Sequence, residues 1–329
     1  MAIYDWLAVL RREYLQDFIK NGGAGVKFVV PWEPSSHLAL QDGLSRIARE
    51  EGYAFVSVNS ATAKVQMVDK VFNEVARQID WDELAHAFLC STLLDSEYLV
   101  PADREEFNLA QIAYLNGLDV GEMRAVINNR LRERLSHDYN MTHEFRQAML
   151  KLCQAQLDPQ DLGVGIAEAV REWLRGELQL VSALKSASIF QKIGRHNARE
   201  MISSLSHWLH VVGKSGLVLS LDISSFLEDK SASEEKDSLH YSTAAVVDGY
   251  EVLRQFVDST DELQHCLIVV FAPPEFLNDE QRGVRKYDAL YLRIWDEVKD
   301  RNRINPLSSL IRFTNQEERV TAQAVGSHS

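Results

Sequence analysis

Residues 26–30, Val-Lys-Phe-Val-Val, form a mostly apolar run preceded by Gly25, and the chain continues Pro31-Trp32-Glu33-Pro34-Ser35-Ser36-His37-Leu38. The run has the composition of a strand buried on both faces, and the segment from about Ser36 to Glu51 has helical spacing. If such a strand, loop and helix cradled a nucleotide's phosphates, G-x-x-x-x-G-K-[ST] would stand between strand and helix. It does not.

The residues present oppose that use. A phosphate nest needs backbone N–H groups, some at positive φ, and a lysine to meet the outer phosphate charge. Pro31 and Pro34 each fix φ near −65° and remove a donor. Glu33 adds a negative charge; one such pair at roughly 5 Å, with an effective dielectric of about 20, repels by about 3 kcal/mol. Either a nucleotide site has been lost here, or the loop is an ordinary turn between strand and helix.

Further along, the alternation of strand and helix is broken once. Residues 3–20 predict an amphipathic helix with Trp6, Leu7, Leu10, Tyr14 and Phe18 on one face, closed by Asn21-Gly22-Gly23. Residues 53–58 predict a second strand, parallel to the first because a helix crosses between them. From about Lys64 to Ala187 the pattern is helical, with helices over 64–79, 81–94, 104–115, 119–138, 141–157 and 163–175. A helix over 188–212 then leads into Gly216-Leu217-Val218-Leu219-Ser220-Leu221-Asp222, a buried strand ending in an acid. A carboxylate there suits Mg²⁺, although Asp at a strand end is also an ordinary turn former. The next residue is Ile223, where a hydrolysing ATPase carries a glutamate to orient water. Residues 224–240 are polar enough for a mobile loop. Helices over 242–258 and 284–299 and strands over 265–271 and 307–313 follow, with a tail that frays from about Gln316.

At 329 residues the chain can bury a full core, and no apolar run is long enough to span a membrane. The early charges in MAIYDWLAVLRREYLQ do not suit a signal peptide, so the expected location is cytoplasmic. Cys90, Cys153 and Cys266 are scattered in apolar surroundings, as reduced core thiols would be. With 35 Lys and Arg against 48 Asp and Glu, the net charge is −13, which favours protein partners over free-standing DNA binding. Arg124, Arg130, Arg132 and Arg134 form a basic patch that reads as a solvated helix face. His207 and His210 stand three residues apart without a third metal ligand at suitable spacing, and His196 is read with them as an ordinary histidine. Arg293 and Arg312 are read as surface or structural arginines.

A series of short blocks resembles one family. The blocks are Trp173-Leu174-Arg175-Gly176-Glu177, Ile193-Gly194-Arg195-His196-Asn197-Ala198, Gly216 to Asp222, Phe271-Ala272-Pro273-Pro274-Glu275-Phe276, Arg282-Gly283 and Tyr287-Asp288-Ala289-Leu290. With Val26 to Val30 and Ser36-His37-Leu38, they resemble the BREX system ATP-binding proteins, the BrxD-like and BrxC-like P-loop proteins of bacterial phage-defence islands. The resemblance implies an α/β fold of the P-loop NTPase type, AAA+/STAND-like, with a parallel five-stranded sheet and a large all-helical insertion between the second and third strands. It implies a core in two parts, residues 1–63 and 188–315, an insertion at 64–187 and a flexible tail at 316–329. Ser35, Ser36 and Asp222 would be the vestiges of the nucleotide site, with Ser36 at the magnesium-binding position, and Trp32 would be free for a partner contact. The expected protein is then a pseudo-ATPase scaffold that needs no cofactor, bound to other protein subunits of a defence system and open to self-association, with only indirect or weak DNA contact. The alternative is an enzyme that uses ATP and Mg²⁺ in a non-standard or partner-completed site.

Overall fold

The computed structural model describes residues 3–32, 34–157, 163–228, 239–295 and 305–313. Glu33, the centre of the polar loop expected at 224–240, the end of the helix expected over 284–299 and the tail expected to fray from about Gln316 lie outside the described residues. In chain order the elements are α1 (Ile3–Val9), β1 (Ala24–Val30), α2 (Pro34–Glu50), β2 (Ala54–Asn59), α3 (Val68–Arg77), α4 (Trp81–Asp95), α5 (Leu109–Leu115), α6 (Val120–Ser136), α7 (His143–Leu157), α8 (Gly163–Arg175) and α9 (Ala198–Val211). After them come β3 (Leu217–Asp222), α10 (Thr243–Asp258), β4 (Cys266–Phe271), α11 (Glu275–Asn278), α12 (Asp288–Ile294) and β5 (Leu310–Arg312).

The strands form one parallel sheet in the order β2-β3-β4-β1-β5. Its central strands β3 and β4 are buried at every position, as continuous apolar runs in a parallel sheet must be. Two compact units contain these elements. The first, Met1–Val71 with Ser215–Ser329, holds the sheet, and the second is Phe72–Lys214, whose described regular elements are helical.

In the sheet unit, neighbouring residues of a strand face opposite sides. Val29, Leu267, Val269 and Phe271 pack with Trp6, Leu7, Leu40 and Leu44 of α1 and α2 on one face. On the other face Phe28 stacks on Phe276 of α11, with centroids 6.0 Å apart, and Tyr250 of α10 meets Phe276 edge-on at 5.7 Å. The helix expected over residues 3–20 is present in two windings: after α1, Leu10–Phe18 is a π-helix, with the Ile19 N–H donating to the Tyr14 carbonyl at 2.8 Å. Wider winding moves the buried stripe from Leu10 to Leu15 and Ile19, so Phe18, expected on that stripe, is exposed.

Two further differences from the sequence reading have local causes. The helix expected from Ser188 begins only at Ala198. Ser188 is left-handed at φ 58°, and the Asn197 side chain holds the approach by accepting from the Gly194 N–H at 2.8 Å. The last strand is confined to Leu310–Arg312 because Asn305 folds the preceding residues into turns, its side chain accepting from the Leu307 N–H at 2.9 Å. Lys27 reaches these turns from β1, where it is almost fully buried. Its ammonium donates to the Leu307 carbonyl and, at 3.0 Å, to that of Ser308, and it lies 4.4 Å from the centroid of the Tyr14 ring. Burial pulls its pKa down to about 8.

In the helical unit, α4 begins at an N-cap, Asp80, which accepts from the Glu83 N–H at 2.9 Å, and α6 begins at a capping box of Asp119 and Glu122. Trp81 meets Phe145 at 6.2 Å, and Phe88 meets Trp208 at 4.6 Å. These rings join α4, α7 and α9 in one core.

Gly216 stands at φ 134°, and a Cβ there would lie 2.0 Å from the His265 carbonyl oxygen. Gly216→Ala is expected to destabilise the fold by about 3 kcal/mol or more, read as a lower urea midpoint. Lys27 costs stability while it is charged in the folded state. Below about pH 8 both states are protonated and the cost is complete. It is relieved as pH rises toward 10.5, because the unfolded chain then holds the proton longer. Wild type should therefore gain on a Lys27→Met variant by up to about 3 kcal/mol across this window, followed by urea melts at several pH values. A constant difference would refute the assignment.

Candidate functional site

The β1-to-β2 connection runs across β4 and β3, whereas the connections out of β2, β3 and β4 run the opposite way. The chain therefore leaves the neighbouring strands β1 and β4 toward opposite faces, α2 on one and α11 on the other. In open α/β sheets the crevice beyond the carboxyl ends at such a switch point is where ligands bind.

Three strands end there, and each end is closely held. The connection from β1 to α2 is only residues 31–33, and Pro34 opens the helix, where a missing N–H is harmless. The Val30 carbonyl is already used by the Phe313 N–H at 3.0 Å, and that of Val29 by the Ala272 N–H at 3.0 Å. At the end of β3 the Asp222 carboxylate is 10% exposed. One oxygen accepts from the Ser224 N–H at 2.8 Å and the Ser224 hydroxyl at 2.6 Å. The other accepts from Asn59 at 3.2 Å and faces His37 Nε2 at 3.5 Å. A carboxylate offers about four lone-pair sites, and four neighbours address this one. His37 comes from the start of α2 and is fixed by stacking on Phe271 of β4, with centroids 5.0 Å apart and planes 5° from parallel.

Ile223 is fully buried, and its N–H donates to the Phe271 carbonyl at 2.9 Å. A glutamate in that position would have to ionise inside the core, at a cost of several kcal/mol, about 2 or more. Beyond it, the Ser225 N–H donates to the Ser60 hydroxyl at 3.1 Å and the Tyr241 hydroxyl donates to the Ala63 carbonyl at 2.6 Å. Burial raises the Tyr241 pKa to about 12.

Of the residues expected at the site, Ser36 lies in the first turn of α2 and is half-buried, and Asp222 sits at the end of β3. Ser35 belongs to the same helical turn, but its side chain lies outside the described residues. Trp32 is 47% exposed, with no described aromatic partner. Sequence reasoning gave no role to His37 or Asn59. A histidine on the first turn of a helix that crosses a strand ending in Asp was the available signal; Asn59 offered none until β2 and β3 were set in register. Arg293 forms an ion pair with Asp258, and the Arg312 guanidinium lies 5.1 Å from the centroid of the Trp295 ring. His207 holds Asp138 at 2.8 Å, and no described group of His, Cys, Asp and Glu could hold a metal ion.

The blocks that resemble the family have structural work. Trp173 donates to the Gln191 carbonyl at 2.9 Å, Glu177 pairs with Arg77 at 3.1 Å, and Arg282 donates to the carbonyls of Phe226 and Tyr241 at 3.2 and 3.1 Å. Tyr287 donates to Glu251, whose pKa falls to about 2, chiefly through its hydrogen bonds with Arg254.

Strand order, parallel pairing and the arrangement at the carboxyl ends define an α/β protein consistent with a P-loop-like fold. The chain belongs to the BREX system ATP-binding protein BrxC/D family, which it matches over residues 12–325. No curated protein and no solved structure matches it. Among the described residues no helix is long and apolar enough to cross a membrane.

Asp222→Ala would leave the Ser224 and Asn59 donors without their acceptor in a nearly closed site. It is expected to lower stability by about 2–3 kcal/mol in urea unfolding, with Asp222→Asn costing less because one oxygen still serves Ser224. An unchanged midpoint in Asp222→Ala would show that the carboxylate is not a structural acceptor.

Proposed function

We propose that this chain is a pseudo-ATPase: an AAA+/STAND-like P-loop core, with a helical insertion between β2 and β3, that acts as a protein-interaction subunit of a BREX-type phage-defence complex. The observation that carries the reading is the Asp222 carboxylate, which already accepts three hydrogen bonds and has His37 against its remaining side. Mg²⁺ demands near-ideal octahedral oxygen coordination at about 2.0–2.1 Å, and the oxygens it would need here already serve Ser224 and Asn59 and face His37. Two further features support it. The connection of residues 31–33 is too short to wrap phosphates and contains Pro31, while Pro34 withholds a donor from the helix start. The position after Asp222 is a buried isoleucine.

Ser35, Ser36 and Asp222 are then vestiges of a nucleotide site, and no cofactor is needed. What the fold offers instead is rigid surface. Trp32, half-exposed beyond the sheet, is an anchor of the kind that protein interfaces use, and the partners are other subunits of the same defence system, with self-association as a further arrangement. Net charge of −13 supports protein contacts and keeps any DNA contact weak or indirect. The family's description as ATP-binding favours a second reading, in which ATP and Mg²⁺ bind a site completed by a partner.

Calorimetric titration with ATP and Mg²⁺ separates the two. The pseudo-ATPase gives no binding heat and no change of melting temperature at millimolar nucleotide, since a ligand well above its Kd must stabilise the state it binds. Binding tighter than about 100 μM that is lost in Asp222→Ala would overturn the proposal. The titration is repeated with the complex purified from cells; nucleotide binding only there would establish the partner-completed site.

A further inference from the structure

The four arginines of the basic patch on α6 do not share one fate. Arg130 pairs with Glu133 at 3.0 Å, and Arg134 pairs with Asp95 at 3.0 Å while lying 4.8 Å from the centroid of the Phe88 ring. Arg124 is also engaged. Arg132 instead lines a cleft of about 150 Å³ between the end of α6 and the start of α7, together with Leu135, Ser136, His143, Arg146 and Gln147. The cleft's lining includes two arginines and a histidine and no carboxylate.

Arg146 is the built part of this cleft. Its Nη1 donates to the Ser136 carbonyl at 2.6 Å, and its guanidinium lies 5.6 Å from the centroid of the Tyr139 ring. Its Nε is buried and has no acceptor among the described residues. A buried guanidinium N–H without an acceptor is uncommon, and it leaves the guanidinium beside the cleft with unused hydrogen-bonding capacity. Asp138, the carboxylate whose charge acts on Arg146, is held by His207 at 2.8 Å. Lys151 shows that positive potential extends along α7: burial first, and then the charge of Arg132, lowers its pKa.

We propose that this cleft binds a single phosphate group, with Arg132 and Arg146 supplying charge-assisted hydrogen bonds and His143 and Gln147 completing the rim. Guanidinium forks match the oxygens of a phosphate, and two arginines balance its dianion. The volume decides how much of a ligand enters. At about 150 Å³ the cleft is below the roughly 300 Å³ at which pockets for whole small molecules begin, so a phosphate fits and a nucleotide does not. The chain's net charge of −13 opposes a polyanionic duplex, which leaves free phosphate or a small phosphomonoester as the source. This site lies in the helical unit and is independent of the nucleotide question at the sheet.

Calorimetric titration of the full chain with inorganic phosphate, with glycerol phosphate and with a short DNA duplex, each against chloride at matched ionic strength, tests this. Saturable binding of inorganic phosphate or glycerol phosphate is expected, with inorganic phosphate alone identifying the free ion as the source. Arg132→Gln, at an exposed position that should leave the fold intact, weakens binding about tenfold, and Arg146→Gln at least as much. Arg130→Gln, which removes an already paired arginine, leaves the affinity unchanged. The proposal is overturned if phosphate and chloride give the same heats, if Arg132→Gln binds phosphate as tightly as wild type, or if only the duplex binds.

Discussion

Five parallel strands cannot stand with one face in water. Each crossover lays a helix on the sheet, and a central strand such as β4, apolar at every position, tolerates solvent on neither side. The core follows from that constraint. Trp6, Leu40 and Leu44 cover one face, and Tyr250 and Phe276 the other. Because the first crossover runs opposite to the later ones, the carboxyl ends of β1 and β4 are left uncovered by helices from either side. The same topology that closes the core therefore opens the one place where a ligand would be expected.

What fills that place in this chain is side-chain chemistry internal to the fold. Asp222 and Ser224 from the end of β3, Asn59 from β2 and His37 from α2 come from three segments and converge on a single carboxylate. A buried carboxylate without partners would cost several kcal/mol, and the hydrogen bonds from Ser224 and Asn59 offset that. The stacking of His37 on Phe271 holds the imidazole where it faces the free side of Asp222.

Much of the fold was legible in the order of residues. The five strands overlap the runs read as strands, most closely β3 and β4, because a strand buried on both faces shows itself as a short, mostly apolar run between turn formers. The helix boundaries failed where local hydrogen bonds override propensity. Ser188 in the left-handed region and the Asn197 side chain hold ten residues out of a helix that spacing alone would have extended. At the N-terminus a π-helix displaced the apolar stripe from Phe18 to Ile19, a shift invisible to a search at 3.6 residues per turn. At the crevice, the absence of a phosphate loop and the oddity of Ile223 were readable; the pairing of Asp222 with Asn59 and His37 was not, since the residues lie far apart in the chain.

Sequence alone determined the strand set, the family resemblance, the missing phosphate nest and the acidic balance, because each depends on residue type within a short window or on simple counting. Tertiary structure alone decided the strand order, the switch point between β1 and β4, and the burial of Lys27 against the turns before β5. It also decided which charges are spent and which are free. Arg130 and Arg132 are two residues apart and alike on paper, yet one is neutralised by Glu133 and the other faces a cleft without a carboxylate. Pairing between charges depends on distances of a few ångströms across elements, and those distances exist only once the chain has packed.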